Sequence, residues 1–201
     1  MTSRKLATAP MRERILQEAE QLMLLHGFNG TSIDAICARA ELTKGGFFHH
    51  FSSKEDLGSQ LLHRYWEETV QSLLSSKYMK QKDPLKRLLG MVTFFESIFE
   101  IPERPSACLL GNLTQEVALT NNHIKSTCRE IFEQWIGALS DAIKEVIKQR
   151  NIKEKIDVRG LAELIVAAVE GAFTMVKASE DLSTSKRSLK HLRNYLILLL
   201  S

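Results

Sequence analysis

Residues 31–57 read TSIDAICARAELTKGGFFHHFSSKEDL, and this stretch decides the fold. Its spacing predicts two short helices, a tight turn and the start of a third helix. Thr31 is placed to cap the first, with Asp34 three residues on as a variant capping box. Ile33, Ile36, Cys37 and Ala40 then recur on one helical face. Glu41 and Leu42 make the turn, and Thr43 offers a second N-cap. Gly45 and Gly46 are poor residues for a helix interior. In a first turn they let the backbone come close to another body. Ser52 and Glu55 form a further capping box, so a new helix is expected to begin there.

Two short helices joined by a tight turn describe a helix-turn-helix, whose second helix enters the DNA major groove. The segment from Thr43 to His50 carries suitable chemistry. Lys44 brings charge, Thr43 a hydroxyl, Phe47 and Phe48 apolar area, and His49 and His50 ring donors. Lys54 opens the next helix within reach of a phosphate. Periodicity alone does not separate this pattern from any small helical hairpin.

The run of Gly27, Phe28, Thr31 to Ala40, Lys44, Gly45 and Phe48 to Leu57 resembles the signature of TetR-family transcriptional regulators. The family pattern ends Tyr-x-His-Phe-x-x-Lys-Glu-x-Leu. Here Phe48 stands in the Tyr place, which removes a hydroxyl that often contacts phosphate in the family. The match covers about the first quarter of the chain. The resemblance implies DNA contacts by Thr43, Lys44, Gly45, Gly46, Phe48, His49 and His50, with Thr31 and Lys54 on phosphates. It also implies a ligand pocket in the later half and pairing of the last two helices with their mates as a four-helix bundle.

The chain has 201 residues, 44% hydrophobic and 25% charged, which suits one or two compact domains. Four prolines, ten glycines and long helical-period stretches predict an all-α fold. Seven Lys/Arg and five Asp/Glu fall in residues 1–54, a net of +2 within a chain total of +3. Operator affinity would then come from a few placed contacts, not from bulk charge. Three cysteines, Cys37, Cys108 and Cys128, lack a framework spacing and point to a reducing cytoplasm. No secretory pattern opens the chain, and no apolar run reaches membrane-span length.

Residues 1–10 are expected to form a loose arm with Arg4 and Lys5 as minor-groove or phosphate contacts, against the plainer reading of a disordered end. Met11 to His26 is predicted as the first helix, stopped by Gly27. The helix begun at Ser53 should run roughly 22 residues, or ~33 Å, long enough to link a reader to a separate body. Lys77 to Lys82 is a linker, and Asp83 with Pro84 gives an N-cap followed by proline at N1. Pro102 and Pro105 break the chain. Ser106 is placed to cap a short helix from Ala107 to Ala118. Further helices are expected over His123–Gln149, over about 157–177 after Asp157, and over Ser183–Leu200. The last ends in Tyr195-Leu-Ile-Leu-Leu-Leu200, apolar on nearly all sides, so it must be covered on more than one face. A two-fold interface with a second copy meets that need.

No G-x-S-x-G, Walker loop, G-x-G-x-x-G or H-E-x-x-H motif is present, so neither enzyme chemistry nor a cofactor is expected. His49 and His50 are adjacent, and their rings should diverge by ~100° instead of sharing a metal. Large apolar residues crowd the central helices. Most belong to an ordinary core, with Phe95, Cys108, Trp135 and Phe173 singled out as pocket liners. The stretch from Ser106 to Val117 is similar to the corresponding helix of electrophile- and bleach-sensing TetR repressors. That resemblance implies a thiol sensor at Cys108 aided by Lys177, and a thiolate near a helix N-terminus fits it physically. A buried structural cysteine is the plainer reading. Cys37 and Cys128 lie on apolar stripes and are expected in the core.

The sequence therefore predicts a helix-turn-helix DNA-binding domain over residues 1–52 and a ligand-binding, dimerising helical domain over 53–201. The expected protein is a cytoplasmic homodimer, joined through helices at about 157–177 and 183–200. It would repress from an inverted-repeat operator until a small-molecule inducer releases it. The alternatives are a redox-sensing repressor using Cys108, and an all-α enzyme or binding protein with no DNA role.

Overall fold

The computed structural model describes residues 10–101 and 107–201. Among them are nine helices and no strand: α1 (Met11–His26), α2 (Ile33–Ala40), α3 (Lys44–His50), α4 (Lys54–Ser75), α5 (Pro84–Ile98), α6 (Leu109–Val117), α7 (Asn122–Arg150), α8 (Val158–Ser179) and α9 (Ser183–Leu200). The expected arm with Arg4 and Lys5 lies outside the described residues, as do Pro102, Pro105 and Ser106.

Most helix ends follow local chemistry. Gly27 stops α1 at φ 76°, with its N–H bonded to the Met23 carbonyl. Asp83 accepts from the amides of Leu85 and Lys86, and Pro84 occupies the first turn of α5. These amide bonds, Lys86 first, hold the Asp83 carboxyl below its usual pKa, and Arg150 adds to the effect. Asn121 accepts from the Ile124 amide at the start of α7, and Asp157 accepts from Gly160 at the start of α8.

Two caps are displaced by one residue from the sequence reading. Ser32, not Thr31, caps α2: it is extended and accepts from the Ala35 amide at 3.0 Å. Thr31 is buried, and its hydroxyl donates to the Gly27 carbonyl at 2.7 Å. At α4 the capping box is Ser53 with Asp56, not Ser52 with Glu55. Ser53 Oγ accepts from the Asp56 amide, while the Asp56 carboxylate accepts from the amide and hydroxyl of Ser52. The hydrogen bond from Gln60, followed by that from the Ser52 amide, lowers the Asp56 pKa. The short sixth helix starts at Leu109 with Cys108 as N-cap, two residues later than expected, and Cys108 makes no side-chain cap bond.

The chain divides into two compact units, neither of them continuous in sequence. The first joins the described residues up to Trp66 with Cys108–Arg129; the second joins Glu67–Ala107 with Glu130–Ser201. The boundary at residue 52 read from the sequence thus cuts through the first unit, which also takes in α6 and the start of α7. Its core holds Ile15, Met23, Ile36, Phe47, Phe51, Leu61, Leu109 and Leu113, all essentially inaccessible. Arg64 pairs with Glu13 at 3.0 Å and Glu20 at 3.2 Å, tying α4 to α1, and Arg39 pairs with Glu18 at 2.6 Å, tying α2 to α1. Ser59 and Thr127 share a buried hydrogen bond of 2.7 Å.

In the second unit α9 packs on α8 and α5. Leu189, Leu192, Leu196 and Leu200 point inward, and Arg193 pairs with Glu96 across to α5. The outward face of α9 keeps Tyr195, Ile197 and Leu198 exposed. No helix among the described residues is long and apolar enough to cross a membrane.

Candidate DNA-recognition site

Helix α3 has only seven residues, too few to be stable alone. It is held from below and presented above. Phe47 is fully buried, its ring 5.3 Å from that of Phe48 and 5.7 Å from that of Phe51. Thr43 caps it, with Oγ1 accepting from the Gly46 amide at 3.1 Å; the hydroxyl proton of Thr43 remains available to donate. Thr43, Lys44, Gly45, Phe48 and His49 are exposed, and Gly46 and His50 are half-exposed. An apolar underside and a polar upper face with one aromatic ring suit a helix laid into a groove.

Lys44 is not idle in the free protein. Its Nζ lies 2.9 Å from Asp34 of α2, with both side chains well exposed. The hydrogen bond to Asp34 and then its charge raise the Lys44 pKa, so the ammonium is fully charged at neutral pH. An exposed pair of this kind is weak and exchanges readily for a phosphate or base partner. The rings of His49 and His50, expected to point apart, meet edge to face with centroids 5.2 Å apart.

Two expected phosphate contacts are already committed. The Thr31 hydroxyl is buried on the Gly27 carbonyl, which leaves the exposed Ser32 as the hydroxyl on that edge. Lys54 Nζ donates to the carbonyls of Phe28 at 3.0 Å and Thr31 at 3.1 Å, and stands 4.4 Å over the Phe28 ring. It braces the turn between α1 and α2 against α4. Both exchanges have one cause: the turn partly buries its own carbonyls, which then need donors.

A methyl group built on Gly45 meets only Thr43 Oγ1, at 3.8 Å. The free protein therefore has room for Gly45→Ala, and helix propensity favours it by up to about 1 kcal/mol. The same methyl would stand on the groove-facing surface. The variant is expected to melt at or above the parent temperature yet bind operator about tenfold more weakly, as read by calorimetry and fluorescence anisotropy. Unchanged affinity would remove Gly45 from the interface.

Residues 15–61 match the family model for bacterial regulatory proteins of the tetR family, and residues 84–192 match that for the tetracyclin repressor-like C-terminal domain. The chain belongs to the TetR family. It is 28% identical over 176 residues to the HTH-type transcriptional repressor DhaR of Mycobacterium sp. strain GP1, covering 88% of this chain and 87% of that one. The crystal structure of a TetR transcriptional regulator from Chloroflexus aurantiacus is similar at a TM-score of 0.84 and 27% identity, covering 96% of each chain. The reduced form of Escherichia coli NemR is similar at 0.81 and 26% identity, covering 92% of this chain and 95% of that one. As a TetR-family protein, this chain is a DNA-binding transcriptional regulator.

The predicted pocket liners of this TetR-family chain are buried. Phe95 of α5 stacks on Trp135 of α7 with centroids 4.6 Å apart, and Phe173 of α8 stacks on Phe99 at 4.4 Å. All four belong to the second unit, whereas Cys108 belongs to the first. A groove of about 350 Å³ opens elsewhere on the second unit, lined by Glu133, Ile136, Gly137, Ser140, Asp141, Lys144, Val158 and Arg159. It shares none of the four predicted liners, and two of its lining residues, Glu133 and Arg159, form an ion pair of 2.8 Å. Cys108 is buried at the N-cap of α6, while Lys177 is exposed in the last turn of α8. Cys37 and Cys128 are buried as expected, and burial is the main cause raising both thiol pKa values. Sequence reasoning missed Ser32 as a cap and Glu116, whose carboxylate accepts from the Asn29 amide across 87 residues of chain. No local pattern signals a contact of that separation.

Proposed function

We propose that this protein is a cytoplasmic, ligand-released transcriptional repressor, without enzymatic activity, that binds an inverted-repeat operator as a homodimer. The observation that carries the reading is the exposed face of α3, with Thr43, Lys44, Gly45, Phe48, His49 and His50 set above a buried Phe47. Each protomer reads one half-site, and the half-sites lie about one helical turn, ~34 Å, apart. Gly46 lets α3 approach the duplex, and Ser32 takes the phosphate role first given to Thr31 and Lys54.

Support for the homodimer comes from α8 and α9. Leu164 and Met175 of α8 and Tyr195, Ile197 and Leu198 of α9 are exposed large apolar residues on helices already packed together. Beyond its own helix backbone, Gly171 of α8 has no atom within 4 Å of where a Cβ would sit. A mid-helix glycine with that space left empty is costly unless another backbone comes close. The inducer is a small apolar or aromatic molecule bound in the second unit, where the pairs Phe95–Trp135 and Phe99–Phe173 supply the walls. Binding favours a form whose reading heads no longer match the half-site spacing, with about 1–3 kcal/mol of coupling.

The test is selection of DNA from a random pool by the purified dimer, then anisotropy titration of the winning sequence with Lys44→Ala and His50→Ala. A selected inverted repeat, bound at least about tenfold more weakly by both variants, supports the reading. Selection of no sequence, or indifference to both changes, overturns it.

A further inference from the structure

The turn joining α1 to α2 is gripped from two helices by opposite charges. From α4, the Lys54 ammonium holds the carbonyls of Phe28 and Thr31. From α6, Glu116 Oε2 accepts from the Asn29 amide at 3.0 Å. The carboxylate also lies hard against Gly27, where a Cβ would fall 2.2 Å from Glu116 Oε1. Gly27 itself sits at φ +76°. Within the turn, a Cβ on Gly30 would strike the His26 carbonyl at 2.3 Å, and the Thr31 amide and hydroxyl close back on Phe28 and Gly27. The backbone from 27 to 31 therefore has little freedom while both ionic grips hold. It leads straight into the Ser32 cap of α2, and α2 packs on α3.

We infer that Glu116 is a positioning residue for DNA recognition: its carboxylate fixes the 27–31 turn and so sets the pose of α2 and α3. The inference rests on the DNA-reading role of α3 proposed above. Glu116 touches no base and no phosphate in this role. It carries a negative charge within the DNA-reading unit, so simple electrostatics and positioning predict opposite signs. Removing the charge should tighten DNA binding if only long-range repulsion matters. It should weaken binding if the turn loses its anchor.

The experiment uses the full-length protein, the operator obtained by selection, and the variants Glu116→Ala and Glu116→Gln. Operator affinity is read by anisotropy, and exchange of the Asn29 amide in the DNA-free protein by NMR. Glu116→Ala is expected to weaken operator binding about tenfold, the scale of one lost hydrogen bond to a charged group, and to speed Asn29 exchange. Glu116→Gln keeps an acceptor oxygen for Asn29 and is expected to recover most of the affinity and protection. Affinity equal to or tighter than the parent in Glu116→Ala overturns the inference. So does unchanged Asn29 exchange, or an equal loss in both variants. A parent protein that selects no DNA sequence instead overturns the DNA-reading proposal, and the exchange measurement still decides whether Glu116 holds the turn.

Discussion

Phe47→Ala is expected to cost the DNA-reading unit about 3–5 kcal/mol, the range for emptying a buried phenylalanine site. The ring has no exposed surface and touches Phe48 and Phe51. It anchors a helix of seven residues, which has little intrinsic stability to fall back on. A loss of this size approaches the total stability of a small domain. Chemical denaturation should show an early transition for the variant, and operator binding should vanish with it. Phe48→Ala is the matched control: that side chain is 52% exposed, so it should lower operator affinity while leaving the denaturation midpoint nearly in place. Similar midpoints for Phe47→Ala and the parent would mean that α3 is held by something other than this ring.

The second large effect is expected at Leu198→Glu. Leu198 is 84% exposed in the protomer, so a carboxylate there leaves the protomer fold unharmed. In the proposed dimer the same residue enters a desolvated apolar seam with Tyr195, Ile197, Leu164 and Met175. An unpaired charge in such a seam is strongly unfavourable. Light scattering should then report a folded monomer, and operator affinity should fall by about a hundredfold or more as the gain from bivalent binding disappears. A variant that remains dimeric would place the interface on another face.

Much of this architecture was legible because helix ends are written in local chemistry. Gly27, Asp83 with Pro84, and Asp157 all fall where the residues predict. The recognition helix was legible for the same reason, with Thr43 at its cap and Gly45 open above it. The errors arose where two adjacent residues offered the same chemistry. Thr31 and Ser32 both carry a hydroxyl, as do Ser52 and Ser53. Local spacing cannot tell which of each pair the tertiary packing will bury. From the sequence alone Lys54 looks free for a phosphate, because the carbonyls that claim it, Phe28 and Thr31, lie more than twenty positions upstream. The grip of Glu116 on Asn29 had no sequence signal at all. Phe95 meets Trp135 and Phe99 meets Phe173 through helix packing, which one chain does not spell out.

The make-up of the DNA-reading unit bears on how it is born. It contains α6 and the first part of α7, so a nascent chain that has emerged only as far as Trp66 lacks Leu109, Leu113 and Ile124 from its core, and Asn29 lacks its acceptor. Long-range closures of this kind slow folding. The head is therefore expected to stay loose on the ribosome until about residue 129 has left the exit tunnel. It would then set around a helix made some eighty residues after the turn that it clasps. Until that moment the growing polypeptide is expected to offer no ordered surface to the chromosome beside it, and fragments cut short in translation would then not compete with the finished repressor for its site.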